Sequence, residues 1–254
     1  MRSNPFDLPL LGRLGTEAYY FPSIGSTNDF AASLPEGAVV VADEQTAGRG
    51  RRGHTWFSPA GSGLYVSVVL APRLSIDPRR ATAILTLAAG VGISEGIDLA
   101  TGLRVDLKWP NDLFVGPRKL GGILAEASVS GDAIGTVVLG FGINVRPTAY
   151  PSDIADRASS LETELGRQVD RHHLLVETLT ALAHRYDDLL AGRFDAILDA
   201  WRARAPRAVD ADVTWTSASG PLTGRTAGID ADGALLVKIE GRVERIVAGE
   251  VLWL

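Results

Sequence analysis

The sequence has no cysteine among its 254 residues, and it has no excess of positive charge. Without thiols the chain can form no disulfide, no thiolate metal site and no cysteine nucleophile. Its 25 Lys+Arg are outnumbered by 30 Asp+Glu, which gives a formal net charge of −5. Proteins whose main partner is DNA or RNA usually carry a basic excess. The composition therefore predicts no nucleic-acid partner.

The sequence also lacks a recognisable targeting segment. The first residues, MRSNPFDLPLLG, contain two prolines and no long apolar core, unlike a signal peptide. Each apolar run is interrupted by charge or falls short of the roughly 20 residues that a membrane-spanning helix needs. These absences predict a cytoplasmic protein without a membrane partner.

What is present is typical of a globular chain, with 46% hydrophobic and 22% charged residues. Strand and helix patterns alternate as far as residue 206, and after it short β-segments follow one another through Gly and Asp turns. We therefore predict two domains, 1–206 and 207–254, the second a small SH3-like β-barrel. The predicted strands are 19–21 (added at a sheet edge), 37–45, 63–72, 103–109, 120–129 and 134–145. The predicted helices are 28–34, a long one opened by Asp77, 169–191 and 194–204.

One segment, TAGRGRRGH at 46–54, combines glycine and arginine, and its residues 48–53 satisfy the dinucleotide fingerprint G-x-G-x-x-G. That fingerprint must open a helix, whereas here HTWFSPAGSG follows, with Pro59 and two further glycines. No G-x-x-x-x-G-K-[ST] occurs, which excludes a P-loop. An RNA-binding arginine/glycine patch is only weakly supported by one such segment on an acidic chain. Two further interpretations of the segment remain. It is a surface loop with solvated arginines, or a loop that orders around an anion, for which the planar guanidinium is suited.

Several short motifs accompany this loop in a fixed order. They are STN at 26–28, EQTAGRGRRG at 44–53, KWPND at 108–112, KLGGILAE at 119–126 and GFGINV at 140–145. Together they resemble those of biotin protein ligases, over most of the chain. The resemblance implies an α+β fold, with a mixed β-sheet flanked by helices as in class II aminoacyl-tRNA synthetases and a C-terminal SH3-like domain. It also implies an enzyme that forms biotinyl-5′-AMP from biotin and ATP and transfers biotin to a lysine of a biotin carboxyl carrier protein.

The resemblance assigns roles to individual residues. The implied catalytic residues are Lys119, Arg49, Arg51 and Asp112. The implied biotin-binding residues are Ser26, Thr27, Asn28, Gln45, Arg49, Gly50, Arg51, Lys119 and Gly122. The implied nucleotide-binding residues are Arg51, Trp56, Lys108, Asn111, Asp112, Lys119 and Asn144. Taken singly, these residues have plainer interpretations: Ser26 and Thr27 as a helix cap, Asn111-Asp112 as a turn, Lys119 as a solvated lysine and Trp56 as a core side chain.

Mg²⁺ is expected to accompany ATP, but no metal-ligand cluster is apparent, and His172, His173 and His184 lie on a predicted amphipathic helix. The short segment before Ser26 predicts no DNA-binding domain, and a homodimer is left open. One alternative function is a lipoate or octanoate transferase of the same architecture, which would require an apolar channel instead of polar groups around a ureido ring. The other is a biotin sensor without turnover.

Overall fold

The computed structural model describes residues 11–72, 78–130, 133–217 and 220–254. A seven-stranded sheet forms its centre, in the order β1-β2-β3-β7-β6-β5-β4. Only β1 and β2 are parallel, and every other neighbouring pair is antiparallel. The strands are β1 (Ala18–Phe21), β2 (Val39–Ala42), β3 (Gly63–Leu70), β4 (Asp106–Lys108), β5 (Asp112–Val115), β6 (Arg118–Ser130) and β7 (Ala133–Asn144).

Helices cover the two faces of this sheet unequally. The helices are α1 (Thr27–Ala31), α2 (Pro78–Thr101), α3 (Leu161–Leu165), α4 (Arg171–Leu190) and α5 (Phe194–Arg204). The main core lies between one face and the layer of α2, α4 and α5, and the alternate residues Leu139, Phe141 and Ile143 of β7 point into it. On the other face, short α1 packs over a small apolar cluster that includes Val40 and Val138. Much of that second face is therefore left for a site.

Helix α2 is the central core helix. A Cβ at Gly92 would lie 2.8 Å from the Cα of Leu182, and one at Gly96 would overlap the backbone of Thr178, so these glycines let α2 and α4 cross closely. By length and composition the stretch Arg80–Thr101 could span a membrane, although Arg80, Glu95 and Asp98 interrupt it with charge. However, 67% of its most apolar window is buried inside the fold, as in the core helix of a globular protein.

A second, five-stranded antiparallel sheet follows, in the order β11-β10-β9-β8-β12. Its strands are β8 (Val209–Ser217), β9 (Gly220–Ile229), β10 (Leu235–Ile239), β11 (Arg242–Ile246) and β12 (Val251–Trp253). Trp109 Nε1 donates to the carbonyl of Gly233 at 2.9 Å, which joins the two sheets. The predicted α+β class, a mixed sheet with helices and a C-terminal antiparallel β-domain, is confirmed. The division at residue 206 stays a prediction, and a 3₁₀ turn at Pro206–Ala208 stands there.

Some predicted elements differ from the observed ones. The strand expected at 103–109 is reduced to β4, and β5 was not predicted. Asn111 lies in the tight connection after β4, and Asp112 is the first residue of β5, where it pairs with Lys108. Helix α1 ends three residues earlier than expected. The edge position of β1 is confirmed, while the predicted cap Asp77 lies outside the described residues.

Candidate functional site

Three glycines form the floor of the candidate site, which we call the glycine trough: Gly122 on β6, and Gly140 and Gly142 on β7. Gly122 and Gly142 are paired across the two strands, and Gly140 shares their face because it is two residues from Gly142. The side chain of Asn28 lies directly against Gly140, where a Cβ would overlap its amide oxygen. The indole of Trp56 covers Gly142 and reaches within 3.3 Å of the Cβ position of Gly122. The close approach to the backbone at Gly122 is thus made by the protein's own tryptophan.

Neutral polar groups line the α1 end of the trough. The Gln45 side-chain oxygen accepts hydrogen bonds from the backbone and hydroxyl of Thr27, at 2.9 and 3.0 Å, and the Gln45 amide donates to Ser58 at 3.1 Å. The Ser67 hydroxyl oxygen lies 2.7 Å from the Thr27 hydroxyl oxygen. Ser26 occupies the N-cap position of α1, but its side chain makes no capping hydrogen bond. Ser26 therefore occupies the predicted cap position, but the prediction that its side chain caps the helix was wrong.

Asn28 connects this polar group to charged residues. Its Oδ1 accepts a hydrogen bond from Ser67 at 2.6 Å, and its Nδ2 donates to Glu126 Oε2 at 2.7 Å. The same Glu126 oxygen also accepts from Arg49 Nη2 at 2.8 Å, and Arg49 Nη2 lies 2.7 Å from Asp29 Oδ1. Asn28 is buried, whereas the side chains of Arg49 and Glu126 are 44% and 39% exposed.

The glycine-arginine loop is a compact turn beside the trough. Arg49 and Thr55 form an antiparallel bridge, and the Gly50 amide donates to the carbonyl of His54 at 2.7 Å. A Cβ at Gly48 would lie 2.6 Å from the carbonyl oxygen of Trp56, so glycine is required there for the close return of the chain. The turn thus positions Trp56 as well as the arginines.

Arg51 extends from this loop to the connection between β4 and β5. Its Nη1 donates to Asn111 Oδ1 at 3.2 Å, and Asn111 Nδ2 donates to the carbonyl of Ile123 at 2.7 Å. Burial lowers the pKa of the Arg51 guanidinium, and the nearby Asp112 carboxylate opposes that shift. A partly buried cation in this position is stabilised when an anion is bound next to it.

Lys119 lies on the same side of the trough. Its Nζ is 2.6 Å from Asp112 Oδ1 and 5.5 Å from the centre of a Trp56 ring. Lys119 and Gly122 are three positions apart, so a regular strand would put them on opposite faces. A bulge in the β5–β6 pairing brings both to one face. Lys119 is one of only three lysines in the chain, beside Lys108 and Lys238, whereas arginine occurs 22 times.

Lys108 lies apart from this group. Its Nζ is 5.2 Å from the ring of Phe114 and 4.9 Å from that of Trp253, and Arg207 lies 4.5 Å from the Trp253 ring. Burial lowers the pKa of Lys108, and the charge of Asp112 partly counters this effect. Lys108 thus contacts the β-domain, and its nucleotide-binding role stays a prediction.

Asn144, the last residue of β7, reaches the site through the chain that follows. Its Nδ2 donates to the carbonyl of Ser159 at 3.0 Å, and the Ser159 amide donates to the carbonyl of Lys119 at 2.9 Å. The segment near Ser159 therefore links the end of β7 to the start of β6. The structure brings the predicted residues together around one trough, except Lys108.

Four polar residues of the site were not predicted: Asp29, Ser58, Ser67 and Glu126. The sequence pattern could have indicated Ser67. Apart from Tyr65, it is the only hydroxyl-bearing residue among the apolar residues of β3, and a buried hydroxyl needs a hydrogen-bond partner. Glu126 ends the motif KLGGILAE but no role was assigned to it. As for metals, the described part of the chain contains no group of three or more His, Asp or Glu that could hold an ion.

Comparison with known proteins gives consistent matches. Residues 20–144 match the Biotin/lipoate A/B protein ligase family, and residues 212–253 match the Biotin protein ligase C terminal domain. The biotin--[acetyl-CoA-carboxylase] ligase of Paracoccus denitrificans is 34% identical, over 90% of this chain and 97% of its own. The bifunctional ligase/repressor BirA of Bacillus subtilis is also 34% identical, over 94% of this chain and 74% of its own. Among solved structures, the biotin protein ligase from Aquifex aeolicus in complex with biotin and ATP has a TM-score of 0.81 and 28% identity, covering 94% of this chain and 98% of that one.

Proposed function

The chain belongs to the biotin protein ligase family, and on this basis we propose that it is an ATP-dependent biotin–protein ligase. In the first half-reaction the biotin carboxylate oxygen attacks the α-phosphorus of ATP, and pyrophosphate leaves. In the second, a lysine amine of a biotin carboxyl carrier protein attacks the acyl carbon of biotinyl-5′-AMP, and AMP leaves. The product is an amide, so the enzyme is a carbon–nitrogen bond-forming ligase.

The observation that carries this proposal is the convergence of two cations on one end of the trough. Attack of a carboxylate on a triphosphate brings two anions together, so the site must neutralise both and stabilise the charge of the transition state. Lys119 and Arg51 are the cations placed to do so, and Asn111 orients Arg51. The lowered pKa of Arg51, caused by burial, fits a cation whose best partner is a bound anion.

We propose two roles for Asp112, which lies 2.6 Å from Lys119. In adenylation it orients the Lys119 ammonium toward the carboxylate and the phosphate. In transfer it accepts a hydrogen bond from the incoming acceptor lysine and draws off its proton, so that the free amine can attack. Trp56, lying over the glycines, excludes water from the mixed anhydride, and Asn144 and Lys108 remain predicted nucleotide contacts.

The neutral group at the α1 end is proposed to bind the ureido ring of biotin. A ureido group presents two donors and one acceptor, and the hydroxyls and amides of Ser26, Thr27, Asn28 and Gln45 can match them. Lipoate and octanoate have no such ring, so these polar groups support biotin as the acid. Mg²⁺ is proposed only as a companion of ATP, since no acidic cluster is present in the described residues to hold it, and we derive no step through it.

The test is acid-dependent exchange of labelled pyrophosphate into ATP, with biotin, lipoate and octanoate as parallel substrates. We expect exchange with biotin alone, and its loss in Lys119→Ala. Exchange with lipoate would instead establish the sister activity. Biotin binding without exchange by the wild-type chain would leave a sensor and contradict the proposed ligase.

A further inference from the structure

Arg49 and Arg51 of the glycine-arginine loop have different surroundings. Arg51 is bound by the neutral oxygen of Asn111, and its guanidinium is largely withdrawn from solvent. Arg49 is half-exposed, and its Nη2 lies between two carboxylates, Glu126 at 2.8 Å and Asp29 at 2.7 Å. The charge of Arg49 is therefore already compensated by the protein, whereas Arg51 is placed to receive an external anion.

Glu126 links the loop to the polar end of the trough. A single oxygen, Oε2, accepts both Arg49 Nη2 and Asn28 Nδ2. The other end of the Asn28 amide is held by Ser67, and the side chain lies against Gly140. A change in the position of Glu126 is therefore felt by the loop and by the proposed ureido site together.

We propose that Glu126 is a positioning residue that anchors the glycine-arginine loop through Arg49, and that Arg49 acts through this carboxylate instead of on the phosphates of the nucleotide. This inference rests on the proposed function and divides the labour of the loop: Arg51 binds the anion, and Arg49 holds the loop over the trough. Asp29 assists as a second, more exposed acceptor.

The strength of such an anchor suits a loop that must open and close. Arg49 and its two acids are about half-exposed, and exposed ion pairs contribute little because water and salt screen them. Breaking the Arg49–Glu126 pair should therefore change loop closure by about two- to fivefold. An ion pair of this strength favours the closed loop that retains the acyl-adenylate, yet it can break so that the loop opens when substrates enter.

The experiment is a double-mutant cycle of Arg49→Gln and Glu126→Gln, with Asp29→Asn as a matched third variant. Glutamine at 126 keeps an oxygen that can accept from Asn28 while removing the charge that holds Arg49. We measure the KM for biotin, the KM for ATP and the escape of acyl-adenylate, trapped with hydroxylamine. Each single variant should raise the KM for biotin and the escape of acyl-adenylate by about two- to fivefold, and should leave the KM for ATP unchanged. The double variant should show the same values as either single variant.

A second readout needs no turnover. Trypsin cleaves after Arg51 and Arg52, and an unanchored loop is cut faster, so Glu126→Gln without ligands should be cleaved there about two- to fivefold faster than wild type. If the effects of the two substitutions on the KM for biotin multiply in the double variant, Arg49 does not act through Glu126. That result, or a raised KM for ATP in Arg49→Gln alone, would show that Arg49 contacts the nucleotide. Wild-type cleavage rates in Glu126→Gln would overturn the anchor even if biotin-dependent exchange is normal. A wild-type chain without exchange would refute the ligase, while the cleavage rates would still decide on the anchor.

Discussion

The glycine trough makes a sharp prediction for Gly140→Ala. A methyl group there would overlap Asn28 Oδ1 and lie 2.9 Å from its Cγ, closer than Cβ atoms approach real neighbours. Asn28 cannot yield without cost, because its amide is held at one end by Ser67 and at the other by Glu126. The substitution must therefore displace Asn28 and break both hydrogen bonds.

The cost follows from these two bonds. A neutral hydrogen bond contributes about 0.5–1.5 kcal/mol and one to a charged group about 1.5–3 kcal/mol, so their joint loss lowers the free energy of unfolding by about 2–4.5 kcal/mol. Asn28 would also lose its place beside the proposed ureido site. The loss of one well-placed contact, about 1.4 kcal/mol, weakens biotin binding about tenfold.

Urea unfolding without ligand and calorimetric titration with biotin measure the two effects. Gly25→Ala is the matched control, because a Cβ at Gly25, next to Ser26, meets no atom within 4 Å. It should leave both quantities unchanged. Unfolding free energy within about 0.5 kcal/mol of wild type for Gly140→Ala, the ordinary range of harmless substitutions, would refute the rigid placement of Asn28.

Two further predictions concern the scaffold. Gly96→Ala should lower the free energy of unfolding by about 1–3 kcal/mol, because its Cβ would meet the backbone of α4. Gly90→Ala on the same helix meets its nearest atom only at 3.5 Å and should be neutral or stabilising by up to about 1 kcal/mol; equal melting temperatures for the two variants would contradict the close crossing. Asp170 is the N-cap of α4, and the hydrogen bond from the His173 backbone amide lowers the pKa of its carboxyl group. The ionised cap therefore stabilises the fold fully above pH 3.8, the ordinary pKa, and this stabilisation is lost as pH falls through the lower pKa of the folded state. Asp170→Ala should therefore cost about 1 kcal/mol in urea unfolding at pH 7 and progressively less below pH 3.8, and a cost independent of pH would contradict this reading.

Local patterns predicted the long elements of the fold and the short β1, β2 and α1, but not β5 or α3. Strands β6 and β7 and helix α5 follow from runs with a clear period. Strand β5 has four residues between Pro110 and Gly116, too few for a period to be recognised. It becomes a strand because β6 offers it a hydrogen-bonding edge, which is a tertiary contact that no local pattern contains.

The candidate site was likewise predicted only in part. The ordered motifs, through their resemblance to those of biotin protein ligases, predicted Lys119, Arg51 and Asp112 in one site. The different surroundings of Arg49 and Arg51 could not be predicted, since both are arginines two positions apart. Glu126 is 77 positions from Arg49 in the chain, and only the register of the sheet brings them together.

The scarcity of lysine has a consequence for self-labelling. A ligase of the proposed kind makes a mixed anhydride that acylates any free amine it meets. In the chain Lys119 is paired with Asp112, Lys108 is packed between aromatic rings, and Lys238 is exposed on β10. Guanidinium groups, always protonated, are not acylated under such conditions. The 22 arginines therefore supply the protein's cationic surface without offering amines to its own reactive intermediate, which leaves Lys238 as the exposed side-chain amine among the described residues.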